Sequence, residues 1–127
     1  MKIVTCAIWI QEHRVFSARR APGQKNAGLW EFPGGKTEPG ESDAQGLERE
    51  MYEEFGVRGT AGAFLTESRY TYAPDADILL RAFLFTSEDT PCPTVHDRVA
   101  WVAKEELLSL PLSAADVPIA AAAAELL

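Results

Sequence analysis

Three glutamates, Glu50, Glu53 and Glu54, fall within five consecutive positions of the stretch REMYEEFG. On a helix, residues at i, i+3 and i+4 share a face, where like charges repel by roughly 0.2–0.5 kcal/mol per pair. A solvated acidic face is one reading. It is disfavoured because no Glu-to-Lys pairs balance the cluster and only Arg49 stands close. Carboxylate oxygens gathered on one face are ligands for hard divalent cations. Mg²⁺ keeps several waters and takes a few carboxylates together with substrate phosphates. A bound cation would offset the repulsion.

A helix over residues 43–55 would present that face. Ser42 followed by Gln45 is a capping-box signature. Gly56 supplies the stop, because glycine tolerates the left-handed conformation after a helix. Ala44, Leu47, Met51 and Phe55 fall on one apolar stripe and read as core. Gly46 lies one turn before Glu50 and costs about 1 kcal/mol relative to alanine. It leaves room beside the acids.

Around this helix the sequence predicts strands over residues 2–10 and 14–20, joined by a QEHR turn, and a short strand LWEF ending at PGG. Residues 36–42 read as a loop. Longer antiparallel strands follow at 58–71 and 77–86, then a last strand RVAWV, a short helix KEELLSL and a terminal helix VPIAAAAAELL. Strands mixed irregularly with helices predict an α+β domain in α/β/α layers.

With 127 residues, 46% apolar and 24% charged, the chain suits a single domain, residues 1–127. Nineteen acids against 12 bases give a net charge of −7. That argues against a nucleic-acid polymer as partner, since phosphate backbones call for Lys and Arg. It leaves room for a small anionic ligand held through metal ions. Two cysteines, Cys6 and Cys92, are too few for a disulfide framework and read as free thiols in a reducing cytoplasm. No segment has the apolar length to span a membrane, and the opening run lacks a leader cleavage site. No alternative nucleophile emerges: Cys6 sits in a core strand, and His13 in a turn.

The run Gly35 to Val57, GKTEPGESDAQGLEREMYEEFGV, matches the Nudix box at nine constrained positions over 23 residues. With its flanks, ARRAPGQKNAGLWEFPGGK and LPLSAADVPI, the chain resembles the MutT-type, CTP pyrophosphohydrolase-like branch of Nudix hydrolases. The resemblance implies a Nudix fold, a mixed sheet sandwiched between helices. It implies Mg²⁺- or Mn²⁺-dependent cleavage of nucleoside triphosphates to the monophosphate and pyrophosphate. Glu53 and Glu54 would be metal ligands, and Glu50 a ligand or the base that activates water. The main-chain carbonyl of Gly34 or Gly35 would complete the set. Arg49 would orient the glutamates, with Glu41 in support. Gly35 and Gly40 would supply dihedrals that only glycine permits. One departure concerns a further acid that many relatives carry upstream of the last-strand tryptophan. Val95 stands at that position, leaving His96, Asp97 or water to substitute.

The resemblance also nominates substrate contacts. Arg20 ends the second strand, where MutT-like proteins touch the nucleotide. Phe32, and Tyr70 or Tyr72, can stack on a base or simply be core. His96 can equally be a surface-loop histidine. Asp116 reads as the N-cap of the last helix and as a base-edge contact. An ionised aspartate only accepts hydrogen bonds, which favours an amino-bearing edge such as cytosine over uracil. Cytidine-type or oxidised nucleotides such as 8-oxo-dGTP are the expected substrates, in a nucleotide-pool sanitation role. The alternatives are another nucleoside diphosphate derivative, or a non-catalytic nucleotide sensor. A monomer or homodimer is expected, with Trp9 a candidate for a dimer face or for the core.

Overall fold

The computed structural model describes residues 1–127. Ten elements follow along the chain: β1 (Lys2–Gln11), β2 (Arg14–Arg20), β3 (Trp30–Glu31), β4 (Gly34–Lys36), α1 (Asp43–Phe55), β5 (Gly59–Thr71), β6 (Asp77–Ser87), β7 (His96–Val102), α2 (Lys104–Leu107) and α3 (Asp116–Ala124). One edge of β1 pairs in parallel with β6, from Lys2↔Ile78 to Trp9↔Phe85. Its other edge is divided, with β4 antiparallel along Val4–Cys6 and β2 at Ile10 and Gln11. β2 carries β7 and β3, and β6 carries β5, all antiparallel. The sheet is therefore mixed, as expected.

Alternation along β1 feeds two cores. Cys6 and Ile8 face one side with Leu80, Leu107, Ile119 and Ala123 from α2, α3 and β6. Ala7 and Trp9 face the other with Phe16, Phe85 and the α1 stripe Leu47, Met51 and Phe55. The sheet thus lies between α1 and α3. Trp9 is buried among Phe16, Phe85 and Trp101. It belongs to the core and offers no dimer face.

α1 has the predicted bounds. Ser42 accepts from the Gln45 N–H, the Gln45 side chain reaches back to Ser42, and Gly56 closes the helix at φ 68°. The QEHR turn places Glu12 and His13 at φ 50° and 62°. Both central residues being left-handed marks the turn type that matches strand twist.

Two expectations fail. β4 occupies residues read as turn and loop, because Gly-Gly-Lys has no strand propensity and becomes a strand only by pairing with β1. A Cβ on Gly34 would sit 1.9 Å from the Thr5 carbonyl oxygen, so the pairing itself requires glycine. Asp116 is not the N-cap of α3. Ala115 holds that place without a side-chain cap, and Asp116 is the first helical residue.

Candidate active site

α1 and the loop before it meet at Arg49. Its guanidinium donates to Glu41 (2.7 and 3.1 Å), Glu50 (2.9 Å), Glu53 (3.0 Å) and the Lys36 carbonyl (3.0 Å). One cation thus spaces three carboxylates and ties the helix to β4. These bonds push the arginine further above its already high range, Glu41 contributing most. Arg49 therefore offsets part of the repulsion within the box by ion pairing, as the resemblance implied.

Two glycines make the joint tight. A Cβ on Gly35 would fall 2.5 Å from the Glu50 carboxyl carbon, and one on Gly46 2.8 Å from Thr37 Cγ2 and 3.2 Å from Glu41 Oε1. Gly35 leaves space for the Glu50 carboxylate that Arg49 holds and is not in a left-handed dihedral, which corrects the expectation. Gly40, at φ 85° with open space around it, does follow the dihedral reason. The Thr5 hydroxyl donates to the Gly35 carbonyl at 3.3 Å.

Glu54 differs from its neighbours. Its Oε2 is buried without a partner. Burial, then the negative charge of Glu50 and Glu31, push its pKa up to about 8 against the pull of Arg20. The helix end beneath it is fixed by Thr94, whose N–H and hydroxyl both bond the Glu54 carbonyl, and by the Cys92 N–H on the Phe55 carbonyl.

No three His, Cys, Asp or Glu side chains already converge as a closed metal cage. The donors nevertheless fit a hard cation: they are all oxygens, and one is an orphaned buried carboxylate oxygen. An open carboxylate face also suits an ion that keeps waters and shares substrate oxygens.

Beside the box lies a cavity of about 250 Å³, walled by Arg20, Lys25, Glu31, Phe32, Gly34, Gly35, Lys36, Tyr72, Ser113 and Asp116 among others. A larger open depression of about 550 Å³ is lined by Glu53 of the box together with Tyr52, Arg58, Asp89 and Cys92. It shares none of these groups. In the wall of the smaller cavity, Asp116 Oδ2 accepts the Phe32 N–H at 2.9 Å. Asp116 is 5% exposed. Burial first, then the charge of Glu31, push its pKa up to about 8, opposed by the Phe32 hydrogen bond. Burial thus favours the neutral acid of Asp116, which can donate as well as accept, against the premise of an ionised aspartate.

The remaining candidates divide. Arg20 lines the cavity, donating to the Lys25 carbonyl (3.1 Å) and pairing with Glu31 (3.5 Å). Phe32 is buried in the core and also walls the cavity. Tyr70 is exposed and packs against Tyr72, with ring centroids 4.6 Å apart, and it is Tyr72 that reaches the cavity. His96 is buried, not in a surface loop. Its Nε2 lies 2.9 Å from Glu31 Oε2 and its ring stacks on Phe55. Asp97 points elsewhere and spends both oxygens on Arg19, at 2.9 and 3.0 Å. Successive residues of a strand face opposite sides, so these two cannot serve one site.

Sequence reasoning missed Glu31, whose charge acts on both Glu54 and Asp116. It also missed a cationic rim. Lys25 and Lys36 line the cavity, and Lys2 sits diagonally from Lys36 across the β1–β4 pairing, on the same face. None of the three has a carboxylate partner within 4.0 Å, and Lys25 Nζ instead lies 5.1 Å from the Tyr72 ring centroid, so positive charge gathers beside the cavity in an acidic chain.

The NUDIX domain model matches residues 1–123. The chain belongs to the Nudix hydrolase family. A CTP pyrophosphohydrolase of Escherichia coli is 34% identical over 116 residues, covering 91% of this chain and 86% of that protein. An 8-oxo-dGTP diphosphatase of Proteus vulgaris is 37% identical over 86 residues, 68% of this chain and 76% of its own. Among solved structures, the Escherichia coli ORF135 protein superimposes with a TM-score of 0.85 at 35% identity, over 96% of this chain and 89% of its own. A MutT protein from Methanosarcina mazei gives 0.87 at 24% identity, covering 98% and 93%, and so speaks to the Nudix fold alone. Nudix hydrolases act on small nucleotide substrates and generally need a divalent metal. The run Gly35–Val57, which matches the Nudix box pattern, lies within the matched residues, and no helix is long and apolar enough to cross a membrane.

Proposed function

We propose that this Nudix hydrolase is a Mg²⁺-dependent nucleoside triphosphate pyrophosphohydrolase. It would release pyrophosphate and the monophosphate, with a preference for cytidine-type or oxidised nucleotides, and clean the nucleotide pool of the cytoplasm as a monomer or homodimer. One observation carries this reading. A single cavity is walled by Gly35 and Lys36 of the box together with Asp116, Phe32, Arg20 and Lys25, and the Glu50 carboxylate lies directly against Gly35.

Each part has a role. Asp116 and Phe32 define the base end, and Arg20 flanks it. Lys25, Lys36 and Lys2 attract the polyphosphate, whose charge the acidic chain would otherwise repel. Arg49 holds Glu41, Glu50 and Glu53 at fixed spacing. Glu50, Glu53 and Glu54 would hold the cation with a Gly34 or Gly35 carbonyl. Glu50 serves as ligand or as the base that takes a proton from water. When bound, Mg²⁺ neutralises phosphate oxygens and activates water for in-line attack. Glu54 must be ionised to bind a cation, so its raised pKa in the metal-free protein makes metal uptake pH-dependent. Similarity to the CTP pyrophosphohydrolase supports the cytidine preference.

The test is a nucleotide panel with Mg²⁺, read as pyrophosphate release. CTP, dCTP, 5-methyl-dCTP and 8-oxo-dGTP are expected to rank above UTP. Release by Glu53→Gln as fast as by wild type would sink the metal assignment. An unchanged ranking in Asp116→Ala would sink the base assignment.

A further inference from the structure

Ser113 lies outside the Nudix box and has no part in the roles above. It is 2% exposed, and its Oγ is closed to solvent without a hydrogen-bond partner. Buried hydroxyls are nearly always bonded, so an orphan calls for a reason. The main chain around it is fixed. The Ser113 N–H donates to the Trp30 carbonyl at 2.9 Å, and its own carbonyl accepts the Asp116 N–H at 2.9 Å. Leu112 forms an isolated parallel bridge with Trp30, so residues 111–113 run beside β3. The next N–H in that row, from Phe32, is taken by the Asp116 carboxyl. Ser113, Phe32 and Asp116 thus share one wall of the cavity.

Such a wall can read a flat polar edge. A serine hydroxyl donates or accepts, and rotation about χ1 swings it while the backbone stays fixed. Asp116 Oδ2 is committed to Phe32, which leaves Oδ1 for a ligand. Cytosine presents an amino donor and a ring-nitrogen acceptor side by side, a match for one hydroxyl and one carboxyl oxygen.

We propose that Ser113 is a base-reading residue whose hydroxyl bonds the nucleobase edge beside the atom engaged by Asp116. The inference rests on the nucleotide reading given under the proposed function. The experiment measures calorimetric binding of CMP and of ribose 5-phosphate, which lacks the base, to wild type and to Ser113→Ala. Thermal midpoints are recorded alongside. The expected result is CMP binding weakened about 3- to 10-fold in the variant. Ribose 5-phosphate binding stays unchanged, and the midpoint stays level or rises, because the hydroxyl removed was unsatisfied. Unchanged CMP affinity, equal weakening of both ligands, or CMP loss with a lowered midpoint each overturn the role. If wild type binds CMP no better than ribose 5-phosphate, the cytidine reading itself fails and takes Ser113 with it. If wild type discriminates and Ser113→Ala discriminates equally well, only Ser113 falls.

Discussion

Arg49 reaches three carboxylates and a main-chain carbonyl through different nitrogens of one planar group. A lysine is a point charge and cannot repeat that fork. Arg49→Lys is therefore expected to keep the fold yet lose roughly 10²-fold in kcat/KM, the scale set by misplacing reacting groups by about 1 Å. Steady-state kinetics beside a melting curve check this, and near-wild-type kcat/KM would refute it. Asp116 yields a different prediction. Its pKa is raised from 3.8 to about 8 in the folded chain. The folded state thus holds the proton more tightly than the unfolded state. The associated stability is intact below about pH 3.8 and is lost as pH rises through about 8. Midpoints of the metal-free protein should fall across that window on this account. Asp116→Asn, which cannot ionise, should flatten the fall in part, because Glu54 adds a slope of the same sign. Parallel curves for the two proteins would contradict the assignment. Among individual residues, the shared face of Glu50, Glu53 and Glu54 was legible from spacing, and the pairing of Arg49 with the box carboxylates from the Nudix resemblance. Glu31 was not, because its neighbours His96, Arg20 and Asp116 come from distant parts of the chain, and no local pattern encodes that meeting.

α1 shows how an element can carry a local penalty for the sake of its neighbour. Gly46 weakens the helix by propensity, and an exposed glycine-to-alanine change would stabilise it by about 1 kcal/mol. Here the added Cβ would meet Thr37 and Glu41. Thr37 belongs to the turn that carries Glu38 and Glu41, and Glu41 is held by Arg49 at 2.7 Å. Gly46→Ala is thus expected to lower the midpoint by a few degrees and to raise KM for the nucleotide, against the propensity trend. Differential scanning calorimetry reads the first, and a raised midpoint with unaltered KM would show that the loop moves aside freely. The helix was legible to the residue because its caps, stripe and stop are all local. β4 was not, since only the long-range pairing of Val4, Thr5 and Cys6 with Lys36, Gly35 and Gly34 makes it a strand. The same holds at the start of α3. Aspartate before an apolar helix reads as a cap, but this side chain accepts the main-chain N–H of Phe32, 84 positions away.

At the scale of the whole molecule, the layered packing turns these separate pieces into one site. α1 sits on one face of the sheet with the box, and α3 on the other with Asp116. The divided edge of β1 lets β4 bring Gly35 under Glu50. Negative charge is dense here, with a net −7 across the chain. A divalent cation that binds only where the carboxylates are assembled must stabilise the fold by mass action. At a hundredfold excess over Kd that contribution is about 2.7 kcal/mol, or roughly 8 °C for a chain of this size. Titrating Mg²⁺ at pH 8 should raise the wild-type midpoint progressively, and chelation should return it to its starting value. Glu54→Gln removes the orphaned oxygen's charge and should abolish most of the rise measured from its own baseline, and Glu50→Gln should do likewise. Lys104→Ala, far from the box in sequence and outside the cavity wall, controls for a general effect of charge and should shift as wild type does. A full Mg²⁺ shift in both glutamate variants would mean that the ion binds elsewhere on the acidic surface, and the box would then owe its order to Arg49 alone.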